Sequence, residues 1–183
     1  MEFVLASASP RRKELLKEIV ECFEILPAKG EENCNCACPK KLVKALAKQK
    51  AEEVFSSLNS KEKIVLGADT VVALDGKILG KPTDKADAFA MLSALSGKKH
   101  EVYTGVCMLS PEGKELCRAA CTKVRFLPLT DEAIEAYIAT GSPMDKAGAY
   151  GIQDGGLVEG IEGSFSNVVG LPVELCKEMI KDL

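Results

Sequence analysis

Lys63-Ile64-Val65-Leu66-Gly67-Ala68-Asp69-Thr70-Val71-Val72-Ala73-Leu74-Asp75-Gly76-Lys77-Ile78-Leu79 is the stretch on which the fold turns. Residues 63–68 are almost wholly apolar and short, the pattern of a strand buried on both faces. The run meets polar residues at Asp69-Thr70, and Val71–Leu74 reads as a second strand. Asp75-Gly76 is a hairpin turn signal, with Lys77–Leu79 as the return strand.

Working outward, the chain alternates between strand and helix signals. Phe3–Ala6 reads as a strand, Ser7–Pro10 as a turn, and Arg11–Val20 as a helix with apolar residues at 15, 16, 19 and 20. Ser9 suits the N-cap and Pro10 the first helical position, where a missing N–H costs nothing. Phe23–Leu26 is a short strand, and the segment from Pro27 to Pro39, with three cysteines, is a loop. A helix follows through Leu42, Leu46, Ala47 and Val54. Beyond the hairpin, Thr83-Asp84 opens a helix carrying Ala88, Met91, Leu92 and Leu95, which Gly97 ends. Strands near 101–109 and 115–127 pair through Ser110–Gly113. Thr130–Ala139 is a capped helix, 141–170 is rich in glycine and turns, and Pro172 begins the last helix. With no repeat, low-complexity tract or linker, residues 1–183 are expected to form one domain of mixed α/β class.

The composition is that of an ordinary globular chain that can bury a core: 46% hydrophobic, 28% charged, net charge −3 over 183 residues. That balance argues against a nucleic-acid binder held by a broad basic face. No apolar stretch approaches the ~20 residues of a membrane span, and the acid at position 2 does not suit a secretory signal. The expected compartment is the cytoplasm, with all eight cysteines reduced.

Five groups of residues carry chemical potential. Ser7-Ala8-Ser9-Pro10-Arg11-Arg12 sets two hydroxyls and two guanidinium groups at a helix start, an anion site by backbone dipole and charge. Asp69 sits at the end of an apolar strand, where it can hold a hard cation or activate water. Lys81, in Gly80-Lys81-Pro82, can reach a phosphate as a point charge. Glu31-Glu32 can supply one metal ligand. In Asp145–Gln153, small residues let backbones approach, and Gln153 offers both a donor and an acceptor for a base edge. Singly, each has an ordinary reading as a capped helix, a turn acid, a solvated lysine, an acidic loop or a surface amide. Together they match the needs of triphosphate hydrolysis.

The motifs Leu5–Leu16, Gly67–Val72, Leu79–Pro82, Leu95–His100, Asp145–Gln153 and Val169–Pro172, in this order, resemble the Maf family of nucleoside triphosphate pyrophosphatases over nearly the whole chain. The resemblance implies an α/β domain around a long curved mixed sheet. It also implies two lobes about a deep cleft, an architecture shared with the inosine triphosphatases. It makes Asp69 the catalytic acid–base residue. Glu32 assists Asp69 with a divalent cation, Mg²⁺ or Mn²⁺, and Ser7, Arg12, Lys50 and Lys81 bind phosphates. Arg11, Thr70 and Gln153 go with the branch acting on dTTP and UTP. The implied partner is the nucleoside triphosphate, with no nucleic acid or membrane, and a homodimer is left open. The competing readings are a non-catalytic regulator linked to cell division, and an enzyme for purine or 7-methyl-GTP triphosphates.

Cys34-Asn35-Cys36-Ala37-Cys38 departs from the family pattern. Its spacing does not suit a zinc knuckle, so it is expected to be a set of reduced loop cysteines, with metal or redox sensing as the alternative. His100 is the sole histidine and is expected to be structural. Cys22, Cys107, Cys117, Cys121 and Cys176 are expected at core or strand positions.

Overall fold

In the computed structural model, residues 2–58 and 62–183 are described. The first strand, β1 (Glu2–Leu5), leads through α1 (Pro10–Lys17) to β2 (Phe23–Ile25), which lies parallel to it. The long helix α2 (Pro39–Ser57) then returns the chain to β3 (Lys63–Leu74), also parallel to β1. A helical crossover is what parallel neighbours require. The remaining pairings, β3 with β4 (Lys77–Leu79), β3 with β5 (Lys99–Leu109), β5 with β6 (Glu115–Phe126) and β6 with β7 (Val158–Glu162), are antiparallel. The result is a single mixed sheet of seven strands in the order β2-β1-β3-β5-β6-β7, with β4 also on β3. Helices α3 (Lys85–Leu95), α4 (Asp131–Ala139), α5 (Phe165–Val169) and α6 (Val173–Lys181) complete the α/β domain.

Where two strands are expected over 63–74, β3 is one strand of 12 residues running through Asp69 and Thr70. Its pairing with β5 continues without a break from Val65 opposite Leu109 to Ala73 opposite Glu101. The opposite edge of β3 is shared: β1 covers residues 63–66 and β4 covers residues 72–74. Residues 67–71 are left with no strand on that edge. Asp69 and Thr70 thus lie inside the strand, within this gap, and do not mark its end.

Alternation along β3 sorts its side chains. Ile64, Leu66 and Ala68 join a cluster with α1 and α6 that contains Leu16, Cys176 and Met179. Further along the same face, Val72 and Leu74 join a second cluster with α3, α4 and the 147–150 turn. Thr70 falls between the two clusters, on the floor of the cleft. The opposite face is covered by α2, which lies flat because two glycines face it. A Cβ on Gly67 would lie 2.2 Å from the Ala47 carbonyl oxygen, and one on Gly105 2.2 Å from that of Val43.

Ser9 caps α1 by accepting the Arg12 N–H, and Thr130 caps α4, both as expected. The turn-rich segment 141–170 holds three short 3₁₀ turns, β7 and α5, elements too short to give a periodic signal. Cys107 and Cys117 are opposite each other on β5 and β6, with Cα atoms 4.2 Å apart, and form a disulfide, so these two are not reduced thiols. Of the other cysteines expected at core or strand positions, Cys176 is buried and Cys121 lies on β6 with its side chain exposed, whereas Cys22 is exposed and lies on no strand. Among the described residues, no helix is long and apolar enough to cross a membrane.

Candidate active site

The gap in the β3 edge opens into a cleft of about 780 Å³. The segments that line it are the ones that leave the neighbouring strands. The turn after β1 brings Ser7, and the first turn of α1 brings Arg11 and Arg12. The loop after β2 brings Glu32, the turn after β4 brings Lys81, and the 145–153 segment brings Gln153. Lys50 reaches in from α2, and Asp69 and Thr70 form the floor. All nine residues singled out in the sequence therefore lie along one cleft.

Asp69 is 8% exposed and bonded to Lys50, whose Nζ lies 2.6 Å from Oδ1. The same ammonium lies 2.8 Å from Glu32 Oε1, so one lysine joins both carboxylates. Burial raises the pKa of Asp69 above the ordinary aspartate value, and the charges of Lys50 and Arg12 only partly offset that effect. Glu32 is shifted the other way, chiefly by its hydrogen bond from Lys50. Two carboxylates on one ammonium are thus driven apart in basicity by their difference in burial.

Arg12 is fixed on three sides. Its Nε donates to the Gly170 carbonyl at 2.8 Å, Nη1 to Ser7 Oγ at 3.2 Å and Nη2 to Thr70 Oγ1 at 3.1 Å. Burial lowers its pKa, while Asp69 acts to raise it. Arg11 instead points across the cleft mouth and pairs with Asp145 at 3.0 Å. Lys146 Nζ meets the other Asp145 oxygen at 2.9 Å and the Ser142 hydroxyl at 2.8 Å. Burial acts to raise the Asp145 pKa, but the hydrogen bonds from Lys146 and Arg11 outweigh it and hold the group below its ordinary value. Gln153 is exposed on the wall formed by this segment.

Several participants carry no isolated sequence signal. Gly67 sets the approach of α2, and with it Lys50. Asp145 engages Arg11, and Gly170 accepts Arg12; both belong to turn motifs whose partners lie more than a hundred residues away. His100 stands outside the cleft lining and holds the Tyr150 hydroxyl at 2.7 Å, with Phe126 edge-on to both rings. Burial pushes its pKa down to about 4, so it is neutral at pH 7, in keeping with a structural role. Cys34 lines the cleft beside Glu32, but Cys34, Cys36 and Cys38 do not gather into a ligand set. Among the described residues only Cys107, Glu115 and Cys117 form a group of three or more such side chains within ligand distance of one another, and two of those share the disulfide.

The sequence profile of the Maf-like protein family matches residues 2–183. The chain belongs to the Maf family. A dTTP/UTP pyrophosphatase of Thermococcus gammatolerans is 51% identical over 174 residues, covering 94% of this chain and 91% of that protein. One from Carboxydothermus hydrogenoformans is 51% identical, covering 94% of each chain. One from Clostridium tetani is 45% identical, covering 100% of this chain and 98% of its own length. Among solved structures, the Staphylococcus aureus Ham1 protein superposes over 100% of this chain and 99% of its own, with a TM-score of 0.60 at 14% identity. At that identity the likeness speaks for the fold, and it agrees with the architecture that Maf motifs imply.

Proposed function

We propose that this Maf protein hydrolyses dTTP and UTP to the monophosphate and pyrophosphate, in the cytoplasm. One observation carries the reading. A buried aspartate of raised basicity, Asp69, lies in a sheet gap with cations converging on it from separate elements: Lys50 from α2 and Arg12 from α1. A gap lined in this way suits a polyanion and a water that must lose a proton. The names of the relatives, with 45–51% identity over nearly full length, point to the pyrimidine triphosphates.

In this mechanism Asp69 accepts a proton from water as the water oxygen attacks the α-phosphorus. The bond from that phosphorus to the α–β bridging oxygen breaks, and its electrons leave with pyrophosphate. Arg12, Lys50 and Lys81 offset the charge that gathers on the phosphate oxygens, a stabilisation strengthened by exclusion of water. Ser7 adds a hydroxyl at the same end. Arg11 and Gln153 on the wall and Thr70 on the floor set the preference for dTTP and UTP.

The donor set fits a hard divalent cation. Glu32 and Asp69 offer only oxygen and are already drawn together by one positive charge, that of Lys50. Mg²⁺ and Mn²⁺ favour such sites, with one or two carboxylates plus substrate phosphates. When bound, the cation neutralises phosphate charge.

The test is pyrophosphate release across canonical and modified triphosphates with Mg²⁺ or Mn²⁺. Release from dTTP and UTP is expected, reduced on the order of 10²–10⁴-fold in Asp69→Asn. Faster release from purine triphosphates would overturn the assigned branch. An Asp69→Asn protein that folds and turns over at the wild-type rate would overturn the mechanism.

A further inference from the structure

We infer that Thr104 and Asn167, neither of which lines the cleft, are positioning residues that fix the Arg12 guanidinium. The inference rests on the reading of Arg12 as a phosphate clamp. Both residues are fully buried, on β5 and α5. The Thr104 hydroxyl donates to the Asn167 carbonyl at 3.0 Å. A hydroxyl has one hydrogen, so Thr104 Oγ1 can only accept in its 2.9 Å contact with Thr70 Oγ1. Thr70 must therefore donate to Thr104, which leaves its own oxygen as acceptor for Arg12 Nη2. Every link runs one way: Arg12 to Thr70 to Thr104 to Asn167. Hydroxyls aligned head to tail in a buried chain polarise one another and hold a single orientation.

The far end of the chain is anchored twice. Asn167 Nδ2 donates to the Val102 carbonyl and to Thr122 Oγ1, both at 3.0 Å. Thr122 in turn donates to the Ser164 carbonyl at 2.9 Å, and the Ser164 side chain caps α5 by accepting the Asn167 N–H. The same short helix ends at Gly170, where φ is 130°, a conformation that favours glycine and turns the Gly170 carbonyl onto Arg12 Nε. Two of the three bonds that orient Arg12 thus trace back to α5, one through the Asn167 carbonyl and one through Gly170 at the helix end. Ser7 takes a third N–H, and of the five a guanidinium carries, two remain for a phosphate.

The test combines calorimetric binding of inorganic tripolyphosphate with kcat/KM for dTTP. The proteins are wild type, Thr104→Val, Thr104→Ser, Arg12→Lys and the double variant Arg12→Lys/Thr104→Val. Loss of one buried orienting hydrogen bond is expected to lower tripolyphosphate affinity and kcat/KM about tenfold in Thr104→Val. Thr104→Ser, which keeps the hydroxyl, should recover both to within about twofold, on the same basis. On the Arg12→Lys background, which has no fork to orient, Thr104→Val should add no further loss. An equal loss on both backgrounds would mark Thr104 as a packing residue and overturn the inference, as would unchanged affinity in Thr104→Val. If Thr104→Val does not fold, Thr104→Cys, of similar size and with a weak donor, takes its place under the same criteria. Wild type that binds tripolyphosphate with this pattern but hydrolyses no nucleotide would remove the proposed reaction and leave the relay standing. Wild type that does not bind tripolyphosphate would remove the relay.

Discussion

Gly67→Ala should loosen α2 and weaken the site together. The added methyl would start 2.2 Å from the Ala47 carbonyl oxygen and 2.8 Å from the Ala51 N–H nitrogen, both helix backbone. Neither atom can rotate away, so α2 as a body must retreat by at least about 0.8 Å to restore even 3.0 Å. Overpacking of this kind costs about 1–3 kcal/mol. For a chain of this size that corresponds to a fall in Tm of about 2–12 °C. Lys50 rides on the same helix, and its 2.6 Å bond to Asp69 would lengthen and weaken, to beyond the usual ~3.2 Å limit of a strong N–H···O bond, unless the side chain re-extends. A loss of pyrophosphatase kcat/KM should therefore accompany the lower Tm. Scanning calorimetry and pyrophosphate release on the same preparation measure both. Gly160→Ala is the control, since a Cβ there meets nothing within 4 Å. A Gly67→Ala protein with wild-type Tm and wild-type kcat/KM would refute the claim that this glycine sets the seat of α2.

Further predictions concern other parts of the chain. His100 has its folded pKa depressed to about 4 from 6.5, so between those values the unfolded chain binds the extra proton. Stability should be full above about pH 6.5 and fall by ~3 kcal/mol towards pH 4, and His100→Phe should flatten that part of the denaturation profile. Asp145→Asn breaks the exposed pair with Arg11 and should change stability by under ~1 kcal/mol in urea unfolding. The same variant frees Arg11 and should shift KM for the nucleotide more than Tm. Protein purified without reductant and unfolded should give six thiols in an alkylation count, rising to eight after reduction.

The sequence was most legible where a local rule decides the structure. Ser9 before Pro10 marks a helix start in any context, and the Asp75-Gly76 turn returns the chain as expected. The cleft residues were legible through motif order, and several of those motifs, those of Ser7, Arg11, Arg12 and Lys81, sit where the chain leaves a strand. What could not be read depends on contacts between distant segments. Asp69 looks like a strand end because polarity usually means an end, and only the pairing with β5 keeps it inside the strand. The buried hydroxyl chain joins residues at 12, 70, 104 and 167, and no periodicity links those positions. Cys107 and Cys117 likewise read as ordinary strand residues until the β5–β6 register sets them opposite each other.

The continuity of β3 has a consequence for how this protein comes apart. One strand is built into the hydrophobic clusters on either side of the cleft, and β5 pairs with it across both. A fluctuation that unzips one end must propagate along the same ladder to the other. Amide protons at the centre of β3 and β5 should therefore exchange only through global opening, on both sides of the substrate groove alike. The two halves form one cooperative unit, so cutting the gene at the groove should yield no independently folding fragment.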